Sequence, residues 1–599
     1  MMRALLLALA AALAPALPAR AGDVTARLEK ADIEVRARSA WPANLNKGWA
    51  PLRLELHNRG GEPARVRLDA SAADWQLERT FQRGFDLAPG ERVDAELLLP
   101  TGGQWANDWS LRLRTPRGDD WRGSDVVAGG GAVDYRAILA VSDEAVAPSM
   151  VAQWSERISR QAVNSGYVAP GTTPTNDDAQ VGHARFDDLA RSWGAYTSLD
   201  LVVLDARTEL PPEAGLEPIV AWVRSGGMLL VAGPRGRELA LERGSIAPWM
   251  EPRFRAELSG QDAQHCGRGL LVFHGSDGWM DDEALLASSY ELASEELDMA
   301  PRLDGISRAS ESELALPGIG ELPYQVFVLL LILFGIVIGP LNFLWIARKR
   351  RPVLLLVTIP AIALFTTVAL LVYGIYFQGL DVKLASQSMA LLDERLHRAS
   401  CVERRLVYAG MSPGEGLRPE PGTVVHFLDR APVGTFMTRS RHFLRLEQSP
   451  SLVLAGDYLP TRIPVQHVVQ GERAARGRLE ASRVDGGLVV RNGLGARIES
   501  LVARDERGAW YASSGPIDVG ASATLAPTRA PKDAELATKP ADILWHASRR
   551  ATEDMLPAAC YLARLERSPF RDSCGIEMTE LASDHRVLGV WDLQAEAWK

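Results

Sequence analysis

At 599 residues the chain is longer than one hydrophobic core organises, so several domains are expected, and 47% hydrophobic with 24% charged residues is ordinary globular composition. A formal net charge of −9 supplies no long-range attraction to phosphate, which excludes nucleic acid as the main partner.

The chain opens with Met1-Met2-Arg3, an apolar run from Ala4 to Leu9 and beyond, and a small-x-small site at Ala19-Arg20-Ala21. This reads as a signal peptide over residues 1–21, cut before Gly22. Pro15 and Pro18 break a run already short of the roughly 18 residues a span needs, so an uncleaved anchor is the poorer reading.

Residues 22–131 alternate apolar and polar positions. Pro51–His57 and Ala64–Asp69 flank the turn Asn58-Arg59-Gly60-Gly61 and are expected to form a β-hairpin. Further strands at Phe85–Leu87, Val93–Leu99 and Leu111–Arg114 give the spacing of an immunoglobulin-like β-sandwich, ending at Gly129-Gly130-Gly131. Trp75, Trp105, Trp109 and Trp121 are core or edge-covering residues on this reading, with a sugar-binding face as the alternative.

From 132 to 300 the pattern changes. Ala137–Val141, Leu201–Leu204 and Met228–Ala232 are short, wholly apolar runs, as in parallel strands buried on both faces. Met150–Ser159 and Glu217–Ser225 have helical spacing, and Gly226-Gly227 stops the second. Alternating strands and helices predict a doubly wound α/β domain. Ligands of such sheets bind beyond the carboxyl ends of the strands, which nominates Ser142, Asp143, Asp205 and Arg235 as a cleft for a small ligand or peptide, the alternative being turns and caps. The acidic stretch Asp281–Asp298 reads as a solvated helix leading into a linker, 301–322.

Within 323–378, Val326–Ile346 and Val353–Tyr376 are each long and apolar enough to cross a bilayer. The turn between them, Arg348-Lys349-Arg350-Arg351, belongs in the cytoplasm by the positive-inside rule, which places both large regions on the other side of the inner membrane. Gly335 and Gly339 form a GxxxG strip on which another helix can pack, either the second span or a partner. Neither span contains Asp, Glu, Lys or His at depth, so an ion path or proton relay is not expected.

Residues 379–599 are again strand-rich, at Arg405–Ala409, Leu488–Val490, Ile498–Ala503, Ala509–Tyr511, Ala558–Ala563 and Val587–Trp591. Asn492-Gly493 followed by Ile517–Gly520 echoes Asn58–Gly61 followed by Phe85–Gly90, pointing to a second sandwich. Gly410-Met411-Ser412-Pro413-Gly414 matches a nucleophile elbow, yet the prolines and glycines after it cannot build the required helix, so a turn is expected. Among Cys266, Cys401, Cys560 and Cys574, a Cys560–Cys574 disulfide is the expected pairing in an oxidising compartment, with buried free thiols as the alternative. No metal site, cofactor motif or catalytic residue emerges.

The segments Leu199–Asp205 and Ile219–Pro234 resemble the class I glutamine amidotransferase-like fold. Its catalytic members need a Cys on a strand-to-helix elbow. Cys266 precedes a strand, so the resemblance implies a non-catalytic relative. The full order of signal peptide, sandwich, α/β domain, hairpin with Gly339-Pro340-Leu341-Asn342, and β-rich tail resembles a group of bacterial envelope membrane proteins. That resemblance implies a scaffold in envelope assembly or stress, working with other envelope proteins and a MoxR-type AAA+ ATPase system. A looser likeness to auxiliary components of ABC export systems implies an accessory export subunit, and a hydrolase or amidase acting through the α/β domain is the third reading.

Overall fold

The computed structural model describes residues 24–592 apart from 43–44, 46, 74–76, 102–108, 128–135, 165–178, 259–260, 300–313, 315, 318–323, 350–351, 428–441, 449–451, 457, 485–486 and 530–555. The leader, Gly129–Gly131, Trp75, Trp105, Arg350, Arg351 and most of the 301–322 linker lie outside the described residues.

The first region contains β1 (Val24–Leu28), β2 (Ile33–Arg38), β3 (Trp49–Asn58), β4 (Ala64–Ala73), β5 (Leu77–Leu87), β6 (Arg92–Pro100), β7 (Trp109–Arg114) and β8 (Asp120–Val127). The second contains β9 (Arg136–Ser142), α1 (Pro148–Asn164), β10 (Ala179–Arg185), β11 (Leu201–Asp205), α2 (Glu213–Arg224), β12 (Met228–Ala232), α3 (Gly236–Leu241), β13 (Arg255–Leu258), β14 (Gln261–Cys266), β15 (Gly269–His274) and α4 (Glu283–Met299). The hairpin is α5 (Tyr324–Ile336), a π-helical turn Val337–Leu341, α6 (Asn342–Lys349) and α7 (Leu355–Gln378). After it come β16 (Val382–Asp393), β17 (Arg398–Ala409), β18 (Thr423–Phe427), β19 (His442–Gln448), β20 (Leu452–Gly456) and β21 (Pro464–Ala474). The chain ends with β22 (Arg478–Val484), β23 (Gly487–Gly493), β24 (Ile498–Arg504), β25 (Trp510–Ala512), β26 (Ser522–Thr528), β27 (Cys560–Leu565) and β28 (Thr579–Val590).

In the first region β1-β2-β3-β6 form one sheet, and β5-β4-β7-β8 belong to a second. The expected hairpin of β3 with β4 is not formed: β3 pairs β2 and β6, whereas β4 pairs β5 and β7. The Asn58 turn therefore carries the chain from one sheet to the other. The Asn58 side chain explains why. Its Oδ1 accepts the Gly60 N–H at 3.0 Å, and its Nδ2 donates to the Glu62, Leu87 and Ala88 carbonyls at 2.9, 3.3 and 3.0 Å. Its backbone N–H donates to the Glu91 carbonyl and its own carbonyl accepts the Gly90 N–H. Gly90 has φ +73°, a left-handed conformation that glycine adopts without strain. A buried amide satisfied by the backbone of its own turn and of the end of β5 makes a corner rather than a two-residue turn.

The echo at Asn492 is the same corner. Its Oδ1 accepts the Leu494 N–H at 3.0 Å, and its Nδ2 donates to the Ala496 and Ile517 carbonyls at 2.9 Å each. Its backbone pairs with Ala521 and with Gly520, which sits at φ +78°. The strands repeat in order as well. β23 pairs β22 and β26 as β3 pairs β2 and β6, and β25-β24-β27-β28 matches β5-β4-β7-β8. The strand order of the first sandwich thus recurs after the hairpin, with one difference: β25 also pairs β26, so these strands run on with β16, β17, β21 and β18 in a single eleven-stranded sheet.

Between them, β10-β9-β11-β12-β15 is a five-stranded parallel run, extended by antiparallel β14 and β13. Alternate side chains face opposite ways. Ile138, Ala140, Leu201, Val203 and Leu230 pack against Trp154 and Ile158 of α1 and Leu285, Leu286 and Tyr290 of α4. Leu139, Val141, Val202, Leu204 and Leu229 pack against Ile219, Val220 and Val223 of α2. The acidic helix α4 is therefore a core element and not the solvated one expected: Leu285, Leu286, Tyr290 and Ala293 recur at helical spacing and bury that stripe, while Glu283 and Glu291 are exposed.

Residues from the end of the chain complete the beginning. β19 pairs β5 in parallel, from His442 opposite Leu77 to Glu447 opposite Gln82, and β20 pairs β19. The first sandwich's second sheet is therefore β20-β19-β5-β4-β7-β8, built from both sides of the hairpin in sequence. Other ties run the same way. Trp49 Nε1 donates to the Val425 carbonyl at 3.1 Å, Trp193 Nε1 to the Gly422 carbonyl at 3.0 Å, and Arg224 pairs with Glu472 at 2.9 Å. Leu314 and Leu316, ahead of α5, pack on Ala385 and Tyr408, so both outer ends of the hairpin return to β16 and β17.

The turn between β16 and β17 is a hub. Arg395 bonds Glu251 and the Pro248 carbonyl of the α/β region at 2.8 Å each and lies over the Trp249 and Phe254 rings. Its neighbour Glu394 accepts the Leu479 N–H and the Tyr561 hydroxyl of the second sandwich, both at 2.8 Å. Burial pushes the Glu394 carboxyl up to about 7, with Asp393 also raising it and Arg478 lowering it. A carboxyl raised in the folded state binds more protons there than when unfolded, so this contribution favours folding in acid and is lost as pH rises from the ordinary carboxylate range through about 7. Glu394→Gln should therefore melt with wild type near pH 5 and above it at pH 8, as read by thermal unfolding at both pH values. Parallel loss for variant and wild type across that window would remove Glu394 as the source.

Candidate functional site

The parallel strands run β10-β9-β11-β12-β15, so the chain winds one way from β9 to β10 and the other way from β11 onward. The crevice between the carboxyl ends of β9 and β11 is the switch point at which such sheets hold ligands. Ser142 ends β9 and Asp205 ends β11, so two of the four nominated residues flank it. Asp143 follows Ser142, and Arg235 lies past the end of β12, immediately ahead of α3.

Their side chains are largely spent on the scaffold. Ser142 is 1% exposed; its Oγ lies 2.9 Å from His183 Nε2 and 3.2 Å from the Glu144 carbonyl. Burial lowers the His183 pKa, so the ring is neutral at pH 7 and ties edge strand β10 to β9. A hydroxyl beside an imidazole is the start of a nucleophile, but a nucleophile must be reached by substrate, and this one is enclosed. Asp205 accepts from the Arg207 backbone N–H at 3.1 Å and from its guanidinium at 3.0 and 2.8 Å. Arg207 in turn lies over the Trp279 ring at 5.9 Å, and Trp279 meets Trp154 edge-on. Arg235 pairs at 3.0 Å with exposed Glu238. Asp143 is exposed, and its carbonyl accepts from Arg185.

His183, Arg207 and Trp279 were not singled out from sequence. Ala179-Gln180-Val181-Gly182-His183-Ala184-Arg185 is an edge strand without the apolar run that marks its neighbours. Only its alternation could have revealed it. His274 sits half-buried at the end of β15, where its carbonyl accepts the Gly233 N–H at 2.9 Å.

The expected Cys560–Cys574 disulfide is not formed. All four cysteines are free and buried. Cys560 opens β27 with its Sγ toward the Ala558 carbonyl, whereas Cys574 sits in a loop with its Sγ accepting from Arg405 Nη1 at 3.5 Å, so the two thiols are fixed by different surroundings. Burial pushes Cys401 and Cys560 up to about 12 and Cys574 to about 11, and Cys266 higher still, which keeps all four protonated and unreactive at neutral pH. Ser412 lies in a turn with no helix after it. Among the described residues no group of three His, Cys, Asp or Glu side chains is placed to share a metal ion.

The hairpin offers a second kind of site. Val328–Arg348 and Leu355–Val372 are long and apolar enough to cross a membrane. Pro340 lacks the N–H that an α-helix requires, and the turn around it widens to a π-helix. Thr358 Oγ1 accepts from Asn342 Nδ2 at 3.0 Å and so joins the two apolar helices. Among the described residues nothing lies within 4 Å of where a Cβ on Gly335 or Gly339 would stand, so the second apolar helix does not occupy the GxxxG strip. Arg348 falls in the last turn of α6 with Lys349 at its end.

No family model matches the chain, and no curated protein does. Among solved structures, a Paenibacillus cycloisomaltooligosaccharide glucanotransferase aligns over 33% of this chain and 27% of its own, with 8% identity and a TM-score of 0.15. A Bacteroides uniformis β-glucuronidase aligns over 33% and 22%, with 10% identity and a TM-score of 0.14. The E. coli α-2-macroglobulin segment from domain MG7 onward aligns over 83% and 99%, with 11% identity and a TM-score of 0.13. The chain spans about a quarter of the length of the first two. At such TM-scores these likenesses carry no argument.

Proposed function

We propose that the chain is a non-enzymatic, membrane-anchored envelope scaffold whose regions before and after the hairpin form one body on the outer face of the inner membrane. The observation that carries this is the pairing of β19 with β5, since strands hydrogen-bonded in one sheet lie on one side of a bilayer. The basic turn beginning at Arg348 supports the periplasm as that side by the positive-inside rule, and so does the exporting leader read from the first 21 residues. The class I amidotransferase-like reading fits the parallel strand order, and the closed environments of Ser142, Asp205 and the cysteines favour a relative that binds rather than turns over substrate. Partners of this reading are other envelope proteins, including a MoxR-type ATPase system. The open Gly335–Gly339 strip supports a second reading, an accessory subunit that docks on the helices of an exporter.

Reporter fusions test the placement: alkaline phosphatase at Lys599 should be active and at Arg350 inactive, with the reverse for a cytoplasmic fluorescent reporter. An active phosphatase at Arg350 would invert the body and end the reading. Crosslinking in membranes followed by affinity purification should then recover envelope proteins, whereas a purified chain that hydrolyses cell-wall fragments would replace scaffold by enzyme.

A further inference from the structure

Between the spans lies a groove of about 670 Å³, walled by Val337, Leu341, Trp345, Ala361 and Ile362, with Arg348 also lining it. Its polar element is the Asn342–Thr358 pair. Thr366 and Thr367 on the same helix donate their hydroxyls to the carbonyls four residues back, Ile362 and Ala363, at 2.9 Å. Thr358 instead accepts from Asn342. Its hydroxyl hydrogen and the second Asn342 N–H find no acceptor among the described residues. In hydrocarbon an unmatched donor is unfavourable, and a lipid ester carbonyl is an acceptor available there. Arg348 stands six residues along α6 from Asn342, roughly 9 Å at 1.5 Å per residue, which puts the cation at headgroup depth when the amide sits just inside the hydrocarbon. Trp345 adds the interfacial ring that favours this level.

We infer that this groove binds one anionic phospholipid of the leaflet that faces the Arg348–Arg351 turn, with its phosphate on Arg348, an ester carbonyl at Asn342 and Thr358, and an acyl chain along the apolar walls. Charge selects this occupant. A groove lined by Arg348, the first of four consecutive cations in the sequence, attracts a phosphate, and basic pockets between spans on this side suit such headgroups. The inference rests on the two-span reading.

Native mass spectrometry of the full chain released from nanodiscs containing equal phosphatidylglycerol and phosphatidylcholine tests it. One phosphatidylglycerol should be retained in preference to phosphatidylcholine. Arg348→Ala should lower that retention about fivefold, the value of one surface cation. Ala361→Phe fills the groove from an exposed position and should abolish retention with the basic turn intact, whereas Leu371→Phe, exposed outside the groove, should not. Inorganic phosphate should not displace the lipid. Equal retention of both lipids, retention unchanged in Ala361→Phe, or displacement by phosphate would overturn the site. Alkaline carbonate extraction separates the two levels: a chain that stays in the membrane but keeps no lipid loses this inference alone, and a chain that washes off loses the two-span reading with it.

Discussion

Arg405→Ala is expected to destabilise the folded body by about 3–5 kcal/mol, the loss typical of stranding one member of a buried ion pair. Arg405 and Glu403 lie two apart on β17 and so share a face; each is 2% exposed, and their charged groups meet at 2.7 Å. Burial alone would lower the guanidinium pKa, but the charge of Glu403 outweighs it and the net direction is up. The guanidinium also donates to the Asp572 carbonyl and to Cys574 Sγ, fastening the loop ahead of β28 to the middle of the sheet. Removing it strands the Glu403 carboxyl without its partner in a dry site and frees that loop. In thermal unfolding the drop should be on the order of 10 °C. Glu403→Leu combined with Arg405→Met should regain most of it, because neither charge then remains to be desolvated, but not all, because Asp572 and Cys574 still lose their partner. A single variant that melts with wild type would show that water reaches the pair.

Legibility of the fold followed the range of the physics involved. Continuous apolar runs announce buried parallel strands and membrane spans because burial acts on the segment itself, and β9, β11, β12 and both spans stand where Ala137–Val141, Leu201–Leu204, Met228–Ala232 and the two runs of the hairpin placed them. Strand pairing is not local. Pro51–His57 and Ala64–Asp69 are strands, but the bonds that the Asn58 side chain donates to the Leu87 and Ala88 carbonyls, some thirty residues on, decide that they enter different sheets. The repeated asparagine was visible, and its meaning was not until both corners were seen to satisfy the same backbone positions. Charge alone does not place helix α4: the spacing of Leu285, Leu286, Tyr290 and Ala293 buries it despite its acidic composition. At the crevice, strand ends were legible and closure was not: what turns Ser142 and Asp205 from open ligands into tied ones is His183 on an unmarked edge strand and Arg207 two residues past a strand end.

The same distinction bears on how the molecule holds its shape across the helical hairpin. A hairpin that merely anchored two independent domains would leave each with its own closed set of strands. Here β5 has β4 on one side and β19 on the other, so an interior strand of the first sandwich depends on a segment more than three hundred residues later. The core that begins at Leu28 and Val35 continues without a break through Leu139 and Ile219 to Leu446 and Val469. Completion of the first sandwich therefore waits until the segment that carries β19 has been made.

Leu446→Asp should for that reason do more damage than its place on a short strand suggests. Leu446 is 1% exposed and stands opposite Phe81 on β5 and Leu454 on β20. Losing the apolar side chain alone is worth about 2–5 kcal/mol, and a carboxylate in its place adds the desolvation of an unpaired charge. The expected result is release of β19 and β20 together, exposing the edge of β5 and opening the first sandwich to protease while α4 and the parallel sheet stay protected. Limited proteolysis of the chain in nanodiscs, followed by mass analysis of the fragments, reads this directly. Arg445 and Thr80 face each other in the ladder, so Arg445→Cys with Thr80→Cys should form a crosslink that holds the two regions together after cleavage within the hairpin turn. That crosslink should fail to form in the Leu446→Asp background. If Leu446→Asp leaves the protease pattern unchanged, or the cysteine pair joins chains only after detergent has dissolved the membrane, then the two regions do not share a sheet in the bilayer and the single body divides at the hairpin.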